Sequence, residues 1–155
     1  MPELRRNLAT GEWVVLATER AKRPEDFSRR EGPGPRDLPA RAEGCPFCPG
    51  NEESTLPALE TVDDGGKWRM RVIPNLYPAF DGDEPFAVHH LGPVHVQAEA
   101  SGIHEVFVYS RDHDGGLHLA SDEDAGEMML MLKRRLQEHA AQPHIRYTQA
   151  IINHG

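Results

Sequence analysis

A chain of 155 residues is long enough for one domain with a real hydrophobic core, and its 38% apolar and 27% charged residues predict that it folds. The formal charge of −8 excludes a general nucleic-acid-coating surface, which needs a basic field, but leaves room for a small anionic substrate held by a local cluster of arginines. The 14 glycines and 13 prolines imply long irregular connections.

The opening MPELRRNLATGEW has neither the apolar stretch nor the small-residue cleavage site of a signal peptide. The longest clean apolar run, MMLML, is far short of a membrane span. The expectation is therefore a cytoplasmic chain with no membrane or nucleic-acid partner. Residues 13–18, WVVLAT, predict a buried strand after Gly11. Residues 20–66 carry no convincing periodicity, and the Pro/Gly/Arg-rich 28–43 reads as a flexible loop. In 67–75, Trp68, Met70 and Val72 alternate with Lys67, Arg69 and Arg71, the period of a half-buried strand. VHVQ at 94–97 and the β-branched, aromatic HEVFVYS at 104–110 predict two more strands.

A helix is predicted after Ser121. Asp122, Glu123 and Asp124 crowd its first turn, where carboxylates suit the positive end of the helix dipole. Ala125, Met128, Met129, Leu132 and Leu136 recur at helical spacing as a core stripe, and Pro143 stops the helix. IRYTQAIIN, 145–153, predicts a last strand. Strands before and after one packed helix define a single α+β domain over 1–155, built on a mainly antiparallel sheet.

The only cysteines, Cys45 and Cys48, stand in GCPFCPGNE. At this spacing two thiolates can chelate one zinc ion from a tight turn, though a structural zinc site takes four ligands. A redox pair normally opens a helix, whose N-terminus lowers the thiol pKa. Here Pro49 and Gly50 disfavour a helix, leaving zinc as the leading reading beside redox chemistry and a plain turn. The other ligands must come from nine histidines. His89, His90, His95, His118, His139 and His144 read as solvated. His113 in VYSRDH stands at a strand end, where a side chain is rigidly placed.

Five segments in order, RRNLATGEWVVLATERAKRP, CPFCPGNE, RVIPNLYPA, HEVFVYSRDH and INHG, resemble the galactose-1-phosphate uridylyltransferase family of the histidine-triad superfamily. The resemblance implies a histidine-triad-like fold and zinc held by Cys45, Cys48, His113 and a histidine of a later H-P-H motif. It implies that Arg20 and Arg23 hold nucleotide phosphates across a homodimer interface, and that Asn75 lines the uridine pocket with Asn153 near the phosphates. The implied reaction is ping-pong uridylyl transfer between UDP-glucose and galactose 1-phosphate. The attacking histidine is the second of H-P-H, and no H-x-H stands in these 155 residues, so no catalytic residue is assigned. The chain thus reads as an N-terminal portion, inactive alone and completed by association with a C-terminal catalytic portion. Two alternatives remain: a sister transferase or phosphorylase acting on ADP-sugars or dinucleoside polyphosphates, and a non-catalytic zinc-stabilised binding module.

Overall fold

The computed structural model describes residues 2–22 and 39–152. Strand β1 (Glu3–Arg6) lies between β2 (Trp13–Leu16) and β6 (His95–Glu99), and β6 also pairs with β5 (Val88–Leu91), all antiparallel. A second antiparallel sheet runs β3 (Glu60–Asp64), β4 (Lys67–Pro74), β7 (Glu105–Val108). One helix, α1 (Asp122–Ala140), packs on the second sheet. The α+β class and antiparallel pairing agree with the sequence reading; the single sheet is corrected to two.

Helix α1 begins as its first turn dictates. Ser121 sits in extended conformation and its Oγ accepts from Asp124 N–H at 3.1 Å, satisfying one of the amides a helix start leaves open. The expected stripe, however, is rotated. Met128 and Met131 are buried against Met70 and Val72, whereas Met129 is 49% exposed. The rotation has a polar cause. At one end Arg69 of β4 pairs with Asp124 at 3.2 Å and Glu127 at 2.7 Å; at the other, Glu105 of β7 meets Arg135 and His139. The helix docks through an ionic, apolar, ionic line that hydropathy alone does not see.

The Glu105 cluster is nearly dry, with side-chain exposures of 10% for Glu105, 15% for Arg135 and 12% for His139. Burial alone would push the Glu105 carboxyl up, but hydrogen bonding to Arg135 and the proximity of His139 hold it below the usual carboxylate range. Its stabilisation is therefore present above the unfolded value, about pH 4.3, and is lost as pH falls through the lower folded value. We expect Glu105→Gln to cost roughly 1–3 kcal/mol at neutral pH by leaving the buried Arg135 guanidinium with only the exposed Glu138 as a charged partner. The gap between its melting curve and that of the parent should be full at neutral pH and close as pH falls below the ordinary carboxylate value. A gap that is flat across this range, measured by circular dichroism, would show that the pair contributes no pH-linked stability.

Two further expectations are corrected. Residues 13–16 form a strand, but an exposed one, with Trp13, Val14 and Leu16 at 37%, 47% and 39%. It is also an edge strand, with β1 on one side only. Residues 145–152 carry no strand, and Tyr147, Ile151 and Ile152 are exposed. A β-branched run becomes a strand only where a neighbour takes its ladder bonds, and none of the described strands lies beside it. Within the expected loop 28–43, residues 28–38 fall outside the described residues, while Arg41 and Ala42 are tied to the cysteine turn as set out below.

Candidate metal centre and nucleotide loop

The turn that carries the cysteines is built from backbone bonds. Cys45 N–H donates to Ala42 O, Cys48 N–H to Cys45 O and Asn51 N–H to Cys48 O, each at 3.2 Å. The Asn51 amide closes the turn from inside, donating to Cys45 O at 2.7 Å and Glu43 O at 2.9 Å. Gly50 takes φ of +88°, which an L side chain rarely adopts, and an added Cβ would stand 3.1 Å from Arg41 Nη2. Both local needs are met by the PGN that follows Cys48.

This turn faces a second turn, and the expectation for His113 is corrected: β7 ends at Val108, and His113 stands five residues beyond it in a turn rather than at the strand end. His113 N–H donates to Ala40 O at 2.8 Å, and His113 Nδ1 lies 3.4 Å from Cys48 Sγ. One ligand-type atom from each of Cys45, Cys48 and His113 lies within 4.8 Å of the other two. In a tetrahedral zinc site with bonds of about 2.0–2.3 Å, ligand atoms are separated by about 3.5–3.8 Å, so a small inward movement suffices. Cys48 is buried, Cys45 half-buried and His113 exposed, giving a site closed below and open above. The cysteines are free, and burial, with Cys48 as neighbour, pushes the Cys45 thiol up. A metal ion binding there must displace that proton, so affinity rises with pH. The donor set, two sulfurs and an imidazole, suits zinc.

The residues expected to meet a nucleotide gather elsewhere, at the loop after β4. Asn75 Oδ1 accepts from Tyr77 N–H at 2.9 Å, and Asn75 N–H donates to His104 O at 2.9 Å. Arg20, in the 3-10 turn Thr18–Lys22, donates through Nη1 to Tyr77 O at 3.0 Å. The structure thus brings Arg20 to the Asn75 loop from 57 positions away in the chain. Arg23 and Asn153 lie outside the described residues.

Four residues that matter here escape the sequence reading. His104 holds the same loop three ways: its carbonyl takes Asn75 N–H, its Nδ1 accepts from Ala79 N–H at 2.9 Å, and its Nε2 lies 3.2 Å from the Asn75 amide. Its place just before a strong strand was the available signal. Glu52, Trp68 and Arg71 surround the cysteine turn. Glu52 accepts from Trp68 Nε1 at 2.6 Å and from Gly50 N–H, and these bonds hold its carboxyl below the usual range. Arg71 sits on a strand whose alternation marked it as solvent-facing, yet it is 3% exposed.

The fold is one of antiparallel sheets with one docked helix, and it sets a Cys-x-x-Cys turn opposite the histidine of the turn after β7. The chain belongs to the family described as galactose-1-phosphate uridyl transferase, N-terminal domain, which it matches over residues 1–155. It is similar to an ADP-glucose phosphorylase of Arabidopsis thaliana, 32% identical over 99% of this chain and 44% of that protein. It is also similar to a galactose-1-phosphate uridylyltransferase of Thermotoga maritima, 31% identical over 90% of this chain and 37% of that protein. Among solved structures, an Arabidopsis thaliana ADP-glucose phosphorylase with bound ADP-glucose superposes with a TM-score of 0.55 at 29% identity, covering 95% of this chain and 41% of that one. A GalT-like protein from the same plant gives 0.54 at 26%, covering 94% and 39%. The chain spans less than half the length of these relatives. No helix among the described residues is long and apolar enough to cross a membrane.

Proposed function

We propose that this chain is the metal-bearing, nucleotide-holding portion of a nucleotide-sugar nucleotidyl transferase, with zinc bound by Cys45, Cys48 and His113. The observation that carries the reading is the convergence of these three ligand atoms within a chain of this family, which separately brings Arg20 to the Asn75 loop. Zinc, when bound, would supply a rigid cross-link between the cysteine turn and the turn that follows β7. Asn75 and the loop amides hold the base and ribose. Arg20, whose planar guanidinium can donate two bonds in parallel, meets phosphate oxygens together with Arg23. The attacking imidazole, which needs no separate base to strike the α-phosphorus, comes from outside these 155 residues. The backbone and arginines offset the charge that develops on the phosphoryl oxygens.

Two donors fit this scheme. UDP-glucose with galactose 1-phosphate as acceptor follows from the family and from the Thermotoga maritima relative. ADP-glucose is favoured by a specific observation: the Arabidopsis thaliana phosphorylase matches 99% of this chain, and its structure holds that ligand. The pairing of subunits implied for Arg20 and Arg23 makes the working unit a homodimer or a complex with a catalytic polypeptide.

One experiment addresses base and assembly together. In sedimentation velocity monitored at the nucleotide absorbance, ADP or UDP should travel with the protein, the preferred base being retained at the lower concentration. Asn75→Ala should weaken retention by roughly 3–10-fold, the loss of a hydrogen bond or two. Protein that carries neither nucleotide at millimolar concentration, with or without zinc, sinks the nucleotide reading. A strict monomer at tens of micromolar sinks the homodimer.

A further inference from the structure

Arg71 is an arginine with an incomplete charge balance. It is 3% exposed, and its direct partners are neutral: Nη2 donates to Pro46 O at 3.0 Å and Nη1 to Thr55 Oγ1 at 3.2 Å. Its guanidinium carbon lies 4.9 Å from the centroid of the Trp68 ring, while Nε has no partner. Among the described residues no carboxylate lies within ion-pair distance of it, in contrast to Arg69 and Arg135. Removing a guanidinium from water without a paired anion is costly; Glu52, bonded to Trp68, offsets this only from beyond ion-pair distance, which leaves room for a second negative group. Pro46 lies between the two cysteines, and of the charges that act on Arg71 the Glu52 carboxylate comes first and Cys45 second.

We propose that Arg71 is a positioning residue of the metal centre, its guanidinium gripping the loop between Cys45 and Cys48 and facing the negative charge the two sulfurs carry when a metal ion binds. The inference rests on the metal reading of Cys45, Cys48 and His113 and adds a fourth participant that does not touch the ion. Two features favour it over simple strand packing. A methionine or leucine would fill the same dry space without the desolvation cost, so the charge itself has a use. The contacts also extend in both directions: Trp68, against which Arg71 packs, is bonded through Nε1 to Glu52, whose carboxylate takes the Gly50 amide of the same turn. Arg111, two residues before His113, approaches the same ring, with its guanidinium carbon 5.7 Å from the centroid. The indole is thus the common surface between both halves of the centre. Partners of metal ligands set ligand orientation, and their loss typically weakens binding about 10–100-fold.

The test is a cobalt(II) titration of the reduced 155-residue chain, against a competing chelator, in the parent, Arg71→Lys and Arg71→Met. The parent should bind one ion with the visible bands and sulfur charge-transfer absorption of a tetrahedral thiolate site. Arg71→Met should lose about 10–100-fold in affinity and show altered visible bands, and Arg71→Lys should recover part of the affinity but not the band shape, because it restores charge without the fork. Arg71→Met that stays folded and binds with unchanged affinity and spectrum overturns the proposal. A parent that binds no ion overturns the metal reading beneath it, so the two failures are separable. Should Arg71→Met not fold, the Trp13→Phe variant decides, since Trp68 is then the only indole. Zinc should change its emission and saturate at one equivalent; emission indifferent to zinc removes the link between Trp68, Arg71 and the centre.

Discussion

Offered ADP-glucose or UDP-glucose with phosphate or galactose 1-phosphate, the 155-residue chain forms no product and no covalent nucleotidyl adduct. The expectation follows from the histidines. Among nine, no pair alternates as H-x-H, and His89 and His90 are neighbours on β5, where successive side chains point to opposite faces of the sheet. His104 and His113 are engaged in structure, the first holding the Asn75 loop and the second facing Cys48. Absence of the nucleophile costs several powers of ten in rate and leaves only binding and charge stabilisation. Denaturing gels after incubation with radiolabelled sugar nucleotide read the outcome. A labelled band at the length of this chain, abolished by His154→Ala, would show that the nucleophile lies within it. Labelling of a separately added C-terminal polypeptide, dependent on this chain, is the expected positive result.

The second large effect concerns the metal. Purified without added metal under reducing conditions, the chain should carry close to one zinc per molecule, and Cys48→Ser should abolish it. Cys48 is the most buried of the three ligands and also receives Ala42 N–H at 3.5 Å, so its loss removes both a ligand and the floor of the turn. With three protein ligands the fourth position falls to water or to a side chain from outside the described residues. Chelation of the parent should lower the melting temperature and spare the first sheet. Elemental analysis showing no zinc in the parent, or full zinc in Cys48→Ser, would falsify the assignment of the ligands.

Some of this was legible in the chain because the relevant physics is local. A Cys-x-x-Cys turn with glycine behind it, a serine before three carboxylates, and β-branched runs at 67–75 and 104–110 each specify their own geometry. What stayed hidden depends on distant partners. ELRR, ETVDD and VHHL have compositions that do not favour strands, and β1, β3 and β5 exist because neighbouring strands supply ladder bonds. IRYTQAIIN fails for the converse reason, having the composition without the neighbour. The rotation of α1 and the burial of Arg71 follow from polar partners 16 to 58 positions away, which hydropathic alternation cannot encode. Likewise, Arg20 was a residue in a basic loop until Tyr77 supplied its acceptor.

The partition of the strands has a consequence for how this protein comes apart. Sheet β2-β1-β6-β5 and sheet β3-β4-β7 share no ladder, and the metal ligands, the docked helix and the ionic clusters all belong to the second. The first sheet is held to the rest by a few loop bonds, such as Asp81 N–H to Ala100 O at 3.0 Å. Opening should therefore divide along this seam: amides of β1, β2 and β5 should exchange with solvent by a lower-energy route than those of β4 and β7, with zinc protecting only the latter. Two unfolding transitions, of which only one moves with zinc, are the expected outcome, and a single free energy would not describe them.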